Sequence, residues 1–436
     1  MRILIIDDNK LKRERVATMV AKTIDQRDAV IEQASSYETA LKQLEKSFFD
    51  LVILDILLPA ADGVPSQDSS RALIRQLNSG NALIPAMHII GLTAYKNVAV
   101  EERSYFDQHL LSLEHYSEED TLWADKIASR INYLLNAERA SLQFHAKNFG
   151  LDVFVMAARH QNEFLPVKSR LFKTSTTGKH PLWKDDLTTG KINLADGRSL
   201  DAALCCVNEM GMAPTAALAS QAISIFRPRL IAMVGMCCGF SDDKCASPRR
   251  MMDVIIAREV SCWEEGKYVE LSNSDNEFRN RSKARMVDDL IRDDVERIVE
   301  QGEKTLTPTL RRLVGKKAYQ DVREHFISRS NAEVVREVPE VKYAPIVSGS
   351  SVIADQKVVH EIIARHPSAI GLDMELFGLY AAADRAYGRR PSVLGIKGVA
   401  DFGEASKDDA AQVQASKIAA DVFKCILGEL KLFSES

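Results

Sequence analysis

The chain has 436 residues, of which 46% are hydrophobic and 27% are charged, and its formal net charge is −4. This composition is typical of a globular protein with two or three domains, and so small a charge argues against nucleic acid as a partner. No apolar run reaches the about 18 residues that a membrane span needs, and the acids in "MRILIIDDNK" argue against a signal peptide. The seven cysteines show no zinc-type spacing, so we expect free thiols in a cytoplasmic protein.

The first 135 residues alternate between strand and helix patterns. Apolar runs such as "RILII", "LVILD" and "MHIIGLTA" are separated by helical periods such as "KRERVATMVAKTI". This alternation predicts a doubly wound parallel sheet, in which ligands bind at the carboxyl ends of the strands. Those ends carry Asp7, Asp8, Asp55 and Thr93. Converging carboxylates repel one another, and Mg²⁺ is the natural counter-ion because it prefers hard oxygen ligands. With the metal bound, Asp55 could attack a phosphoryl group.

The three motifs "IIDDN", "LVILDILLPAADG" and "IIGLTAY" resemble the receiver domain of response regulators. The resemblance covers residues 1–135 and implies a flavodoxin-like fold. It implies Asp55 as the phospho-acceptor, Asp7, Asp8 and Asp55 as the Mg²⁺ ligands, and Thr93 as the switch hydroxyl. It also implies a cognate histidine kinase or phosphorelay protein as a partner.

One departure from the receiver pattern concerns the fifth strand. The family has Lys-Pro after it, whereas this chain reads "LLSLEHYSEED", with Glu114 and His115 near that place. The missing lysine normally contacts the phosphoryl group. Two interpretations therefore stay open, which are a phosphorylated receiver and a degenerate receiver used only for docking or dimerisation.

The join between the two halves of the chain has a helical pattern. Residues 122–148 contain neither proline nor glycine, unlike a flexible linker. We expect the last receiver helix to run into a helical connector, residues 136–149, and to transmit the state of the receiver.

Residues 150–436 again alternate strands with helices and predict one further α/β domain. The charged stretch 276–330 interrupts the rhythm and reads as a helical insertion. Small-residue turns at residues 235–239 and at Gly211 would let backbone amides approach a ligand. If the sheet is parallel, Glu163, Glu375 and Asp401 fall at one edge of it.

Four motifs in this half, "VGMCCGF", "VSGSSVIAD", "GLDMELFG" and "KGVADFGE", resemble the purine nucleoside phosphorylase and nucleosidase superfamily. The closest likeness is to its adenine-specific nucleosidases, which cleave N-glycosidic bonds with water. The likeness implies that Glu375 binds the ribose hydroxyls, that Met374 packs under the sugar, and that no cofactor is required. Asp401, with a raised pKa, would protonate the departing base, and Glu163 would polarise the attacking water. The substrate-binding positions that it implies are Gly211, Gly235, Gly239 and Val352. Because Val352 replaces a common phenylalanine of the base-lining loop, Trp263 is a candidate for stacking on the base, or else a core or surface residue.

Basic residues follow the first strand of this half at Arg159, His160, Lys168 and Arg170. As a group they favour a phosphorylated nucleotide. Receiver–nucleosidase fusions also resemble effectors of bacterial defensive two-component systems, which cleave ATP to adenine and ribose 5′-triphosphate. We therefore expect a receiver-regulated ATP nucleosidase that forms homo-oligomers. The alternatives are a metabolic nucleosidase or phosphorylase, a nucleotide sensor without activity and, least in keeping with the sequence, a DNA-binding regulator.

Overall fold

The computed structural model describes residues 1–24, 29–60, 63–80, 83–241, 247–270, 276–329, 334–403 and 409–434. The chain divides into two compact units, Met1–Phe144 and His145–Ser436. Among the described residues, no helix combines the length and the apolar character needed to cross a membrane. Cys245, one of the expected free thiols, and residue 330, the end of the expected insertion, lie outside the described ranges.

The N-terminal unit is built on five parallel strands in the order β2-β1-β3-β4-β5. Its elements are β1 (Arg2–Ile6), α1 (Lys10–Thr23), β2 (Val30–Ala34), α2 (Tyr37–Leu44), β3 (Leu51–Leu54), α3 (Gln67–Ser79), β4 (His88–Thr93), α4 (Lys96–Gln108), β5 (Ser112–His115) and α5 (Leu122–Lys147). Alternate residues of β1 enter two separate apolar clusters, Leu4 and Ile6 in one, Ile3 and Ile5 in the other. Both faces of the sheet are therefore covered, as the continuous apolar runs indicate. The predicted doubly wound parallel sheet is confirmed.

Helix α5 includes the first part of the expected connector, residues 136–149. It continues without interruption to Lys147, and the division between the two compact units falls inside it, after Phe144.

The C-terminal unit is a mixed α/β domain. Its strands are β6 (Leu151–Ala157), β7 (Ser175–His180), β8 (Trp183–Asn193), β9 (Ser199–Cys206), β10 (Pro228–Gly239), β11 (Val254–Cys262), β12 (Gly266–Glu270), β13 (Asn276–Asn280), β14 (Arg285–Met286), β15 (Val341–Ser348), β16 (Gly371–Asp373) and β17 (Ser392–Asp401). Its helices are α6 (Leu165–Leu171), α7 (Met212–Phe226), α8 (Asp289–Glu300), α9 (Gly302–Thr305), α10 (Thr307–Val314), α11 (Lys317–Arg329), α12 (Gln356–Arg365), α13 (Leu376–Asp384) and α14 (Asp409–Glu429), with a π turn at His160–Phe164 and a 3₁₀ turn at Lys431–Phe433.

Ten of these strands form one sheet in the order β14-β11-β15-β16-β10-β6-β9-β8-β7, with β17 paired to both β10 and β11. Strands β6, β9, β10 and β17 are parallel, whereas β16 runs antiparallel to β10. The condition of a wholly parallel sheet is therefore not met. The ends still converge, because Cys238 near the end of β10 pairs with Leu372 of β16 on one side and with Asp401 of β17 on the other.

The expected helical insertion is only partly helical. Residues 276–286 form β13, which pairs with β12, and β14, which pairs with β11. The helices begin at Asp289, where the side chain of Asp288 accepts the N–H of Leu290 and caps α8. In β13, Phe278 packs its ring against Tyr268 of β12 at 5.1 Å, a cross-strand pair that favours strand over helix.

Candidate functional sites

The acidic cluster of the N-terminal unit lies at the carboxyl ends of β1 and β3. Oxygen atoms of Asp7, Asp8 and Asp55 lie within 4.8 Å of one another. Asp7 and Asp55 are buried and Asp8 is exposed. Three carboxylates at this spacing offer the hard oxygen ligands that suit Mg²⁺. These three carboxylates therefore fit the predicted Mg²⁺. When bound, the metal would stabilise the negative charge on the oxygens of a phosphoryl group.

Lys12 is the cation of this cluster, and the sequence analysis did not identify it. Its ammonium lies 2.8 Å from Asp7 Oδ2 and 3.1 Å from Asp55 Oδ1, and it donates to the carbonyl of Leu92 at 2.8 Å. Only 4% of the side chain is exposed. Asn9 holds the start of α1 in place, since its side chain accepts the N–H groups of Leu11 and Lys12. A lysine of the first helix thus supplies the charge that is missing after β5.

The pKa of Asp55 is raised to about 7, chiefly because burial penalises its charged form. The Lys12 ammonium lowers this pKa and the Asp7 carboxylate raises it further. Thr93, the predicted switch residue, is buried at the end of β4, and its hydroxyl accepts the N–H of Tyr95 at 3.3 Å. The fifth strand ends at His115, while Glu114 pairs with Lys126 at 2.5 Å.

In the C-terminal unit, one cavity of about 100 Å³ brings together the predicted catalytic carboxylates. We call it the acidic cavity. Its lining comprises Ala158, Arg159, Glu163, Met210, Met236, Cys237, Cys238, Ser351, Val352, Ile353, Leu372, Asp373, Met374, Glu375, Asp401 and Gln412. Strands β10, β16 and β17, the segment after β6 with its π turn, and the loop after β15 therefore all contribute to it. Four carboxylates beside an apolar, sulfur-rich wall make it the best candidate for a reaction site.

Glu163 is fixed in the acidic cavity by backbone donors. Its Oε2 accepts the N–H groups of Ala158 and Arg159, and its Oε1 accepts the N–H of Met236, all at 2.8 Å. Gly235 makes this approach possible, because a Cβ there would lie 2.0 Å from Glu163 Oε1. Each carboxylate oxygen has two lone pairs. Oε1 therefore keeps one acceptor position for a further donor such as water.

Glu375 and Asp373 share one fully buried cation. The ammonium of Lys397 lies 3.3 Å from Asp373 Oδ2 and 3.4 Å from Glu375 Oε2. Burial lowers the pKa of Lys397, but the carboxylates of Asp373 and Glu375 outweigh burial and raise it overall. The pKa of Glu375 is raised to about 7, first by burial, with Lys397 opposing the shift and Asp373 adding to it. Lys397 therefore stays charged while Glu375 can change its charge near neutral pH.

Asp373 also organises the start of α13. Its Oδ2 accepts the N–H of Leu376 at 3.0 Å, and its Oδ1 accepts the hydroxyl of Ser348 at 2.5 Å. Asp373 thus caps the start of α13 and also holds Lys397 beside Glu375.

We expect Lys397→Met to destabilise the C-terminal unit by about 3–5 kcal/mol, because it leaves two buried carboxylates without a cation. The measurement is urea unfolding followed by fluorescence of Trp183 and Trp263, in a chain carrying Trp123→Phe. Lys342→Met is the control, because Lys342 is 43% exposed and pairs with Glu340 at the surface, so about 1 kcal/mol or less is expected. Equal losses for the two variants would contradict the buried-cation account.

The remaining predicted positions differ in where they lie. Asp401 lines the acidic cavity and accepts the N–H of Gly403 at 2.9 Å. Met374 and Val352 line it as well. Gly211 precedes α7 with a φ of +115° and lies next to the lining residue Met210 without lining the cavity itself. Gly239 packs against Val399 and Arg249 instead, where a Cβ would be 2.7 Å from a methyl group of Val399.

Of the four basic residues assigned to phosphate binding, the structure brings only Arg159 to the acidic cavity. His160 stacks on Phe164 at 5.2 Å. Lys168 donates to Thr177 of β7 at 2.9 Å, and Arg170 pairs with Asp421 of α14 at 2.6 Å. The π turn and α6 direct these last two side chains away from the end of β6, a change of direction that sequence spacing does not reveal.

Trp263 is not among the residues lining the acidic cavity, so the core alternative describes it better. It packs at the edge of the apolar core, beside Gly349, where a Cβ would lie 2.0 Å from the indole nitrogen.

Comparison with known proteins identifies the N-terminal unit. Residues 3–106 match the family model of the response regulator receiver domain, and this part of the chain is a receiver domain. The chain is 26% identical over 443 residues to the uncharacterized protein y4jS of Sinorhizobium fredii, with 97% of each chain covered.

Solved structures similar to the chain include a nucleosidase and a hydrolase. The 5′-methylthioadenosine/S-adenosylhomocysteine nucleosidase of Neisseria meningitidis, bound to methylthio-immucillin-A, is 14% identical with a TM-score of 0.44, covering 64% of this chain and 99% of its own. Futalosine hydrolase of Helicobacter pylori is 11% identical with a TM-score of 0.43, covering 64% of this chain and 99% of its own.

Proposed function

We propose that the protein is a receiver-controlled N-glycosidase that hydrolyses the adenine–ribose bond of ATP, and of related adenine nucleotides, to adenine and ribose 5′-triphosphate. The observation that carries this proposal is the convergence of Glu163, Glu375 and Asp401 with Met374 on one cavity. These are the residues that the nucleosidase resemblance selects, and they come from three different parts of the chain.

The proposed reaction assigns one carboxylate to each of three tasks, which are stabilising the sugar cation, protonating the base and accepting a proton from water. The bond between the sugar carbon C1′ and the base nitrogen N9 breaks, leaving positive charge on the sugar, which the Glu375 carboxylate stabilises. Asp401 gives a proton to N7 of the departing adenine. Glu163 Oε1 accepts a hydrogen bond and then the proton of the water that attacks C1′, and its three backbone donors keep it aimed at that water.

The rate should depend on pH through Glu375. Its pKa is raised to about 7, mainly by burial, so the carboxylate is mostly neutral at pH 6 and mostly ionised at pH 8. Because only the ionised form stabilises the sugar cation, kcat/KM should rise through neutral pH. The measurement is adenine release between pH 5.5 and 8.5, with Glu375→Gln as the control in which this rise is lost. A rise that is unchanged in Glu375→Gln would contradict the role of Glu375.

Recognition of a triphosphate rests on Arg159, whose backbone N–H is held by Glu163 and whose guanidinium also contacts Gln412 at 3.4 Å. A specific observation favours a second candidate, a nucleosidase for an apolar 5′ substituent. Met210, Met236, Val352 and Ile353 form an apolar wall of the same cavity, and Lys168 and Arg170 lie outside it.

A substrate panel separates the two candidates. Adenine release is measured from ATP, adenosine and methylthioadenosine, with and without inorganic phosphate, in the unmodified protein and in Arg159→Ala. For an ATP hydrolase, we expect ATP to be preferred, phosphate to have no effect, and Arg159→Ala to raise KM for ATP by about tenfold or more. Preference for methylthioadenosine, unchanged in Arg159→Ala, would establish the second candidate.

The acidic cluster around Asp55 supports the proposed control by the receiver. A histidine kinase or phosphorelay protein would supply the phosphoryl group, and helix α5 would carry the effect to the second unit. A constitutive ATP-cleaving enzyme would exhaust the nucleotide of its own cell, which is why we propose a switched effector of a defensive two-component system. Inserting three glycines at Asn136 should make adenine release independent of receiver phosphorylation, and unchanged regulation would count against transmission through the helix.

A further inference from the structure

A second cavity of the C-terminal unit, of about 640 Å³, shares no lining residue with the acidic cavity. We call it the basic cleft. The end of α6, the loop after β8, and helices α9, α10 and α14 surround it. Its cationic lining residues are Arg170, Lys173, Lys304, Arg312, Lys316 and Lys424.

The positive charge of the basic cleft is only partly compensated. Its acids are Asp196, Asp421 and Glu429. Asp421 is already paired with Arg170, and Asp196 with Arg198, which is not a lining residue. Within the described part of the chain, the ammonium groups of Lys173, Lys304, Lys316 and Lys424 have no carboxylate within ion-pair distance. Apart from the Arg170–Asp421 pair, five cations thus face a single lining acid without a pairing partner of its own among the described residues, Glu429.

Lys424 lies close to other cations of the cleft. Burial lowers its pKa, the Asp421 carboxylate opposes this shift, and the charges of Lys173 and Arg170 lower the pKa further. Like charges held together in a half-buried cleft are relieved when an anion enters, because the anion replaces repulsion by attraction.

The walls of the basic cleft are tied to one another without a ligand. Arg170 of α6 binds Asp421 of α14, and the thiol of Cys425 contacts the hydroxyl of Thr309 at 3.2 Å, which joins α14 to α10. Arg198 donates to the carbonyl of Gly428 at 2.6 Å. The cleft is therefore preformed, which lowers the entropic cost of binding.

We propose that the basic cleft binds a small anion with several phosphoryl groups, either inorganic polyphosphate or the triphosphate part of a nucleotide. The volume is within the range of about 300–1,000 Å³ that is usual for small-molecule sites. Lysine and arginine side chains without competing carboxylates suit phosphoryl oxygens. Asp196 and Glu429 among the lining would repel a long polyanion that crossed the cleft, so a compact ligand is favoured over nucleic acid.

Helix α14 contributes residues to both the basic cleft and the acidic cavity. Gln412 lines the acidic cavity and Lys424 lines the basic cleft, twelve residues further along α14. At about 1.5 Å per residue, this places them about 18 Å apart along the helix axis. An anion in the basic cleft is therefore bound at a site separate from that of the proposed reaction.

The test is calorimetric titration of the full chain with inorganic tripolyphosphate. The chain offers matched variants, since the exposed Arg312 and Lys316 line the basic cleft, while their neighbours Arg311 and Lys317 are also exposed but do not line it. We expect Arg312→Glu/Lys316→Glu to raise Kd at least about tenfold, and Arg311→Glu/Lys317→Glu to change it less than about threefold. Equal weakening by the two pairs, or no saturable binding below about 1 mM tripolyphosphate, would overturn the proposal.

A second arm distinguishes the two sources of the phosphoryl groups. Cytidine triphosphate lacks the purine that the acidic cavity is proposed to take, so its binding reports the basic cleft. If it binds more tightly than tripolyphosphate and loses affinity in the Arg312→Glu/Lys316→Glu variant, the ligand is a nucleotide. If tripolyphosphate binds more tightly with the same loss, the ligand is inorganic.

Discussion

Asp401→Asn is expected to reduce kcat for adenine release by about 100- to 10,000-fold, with little change in KM. Asparagine keeps the shape of the side chain and the acceptor for the N–H of Gly403. It cannot, however, transfer a proton to the departing base. The loss should therefore fall on the step in which the bond breaks and not on binding. The measurement is steady-state adenine release followed by chromatography.

The control for this variant is Asp384→Asn, the same chemical change at a carboxylate that is 45% exposed and paired with Arg285 away from the acidic cavity. It should retain full activity. If Asp401→Asn kept more than about a tenth of the unmodified kcat, general-acid catalysis by Asp401 would be ruled out.

The second large effect is expected in the receiver. Lys12→Met should reduce the rate at which acetyl phosphate phosphorylates Asp55 by at least about 100-fold. This is the usual loss when one charge-stabilising group is removed from a reaction site. The ammonium contacts both Asp7 and Asp55 and is buried, so a cation from the solvent cannot easily take its place. Without it, the incoming phosphoryl group meets uncompensated carboxylates. The measurement is the mass of the intact protein after labelling.

Two further variants serve as controls for Lys12→Met. Lys10→Met removes a lysine from the same helix that is 77% exposed and pairs with Glu14 at 3.8 Å, and it should be labelled normally. Lys12→Arg keeps a cation and should recover part of the labelling that Lys12→Met loses. Labelling of Lys12→Met at the unmodified rate would show that the phosphoryl group does not depend on this ammonium.

The acids of both units could be predicted because they follow apolar strands directly. Asp7, Asp8 and Asp55 come after β1 and β3, and the ends of neighbouring parallel strands meet at one edge. Glu375 and Asp401 were predicted for the same reason. Their meeting did not need a wholly parallel sheet, because β10 pairs with both β16 and β17 near its end.

The cations could not be predicted in the same way, because they reach their sites through the fold. The receiver pattern places its lysine after β5, whereas Lys12 comes from α1. A signal was present, since Lys12, Val16 and Val20 share the buried face of that helix at a spacing of four residues. Lys397 is a similar case. It lies within an otherwise apolar strand, where a fully buried lysine needs acids as partners.

The basic residues after β6 show the opposite error. Lys168 and Arg170 are near Glu163 in sequence. The π turn that holds Glu163 and the helix α6 that follows it direct the side chains of Lys168 and Arg170 away from the acidic cavity. Charge counted along the sequence could therefore not distinguish the acidic cavity from the basic cleft.

The most direct test of a receiver-controlled N-glycosidase is the identification of products from ATP by liquid chromatography and mass spectrometry, with and without beryllofluoride and Mg²⁺. The account predicts adenine and ribose 5′-triphosphate in equal amounts, an increase with beryllofluoride that Asp55→Ala abolishes, and at least about 100-fold less product from Glu375→Gln than from the unmodified protein. ATP recovered intact under every condition, or adenine released equally by the unmodified protein and Glu375→Gln, would contradict it.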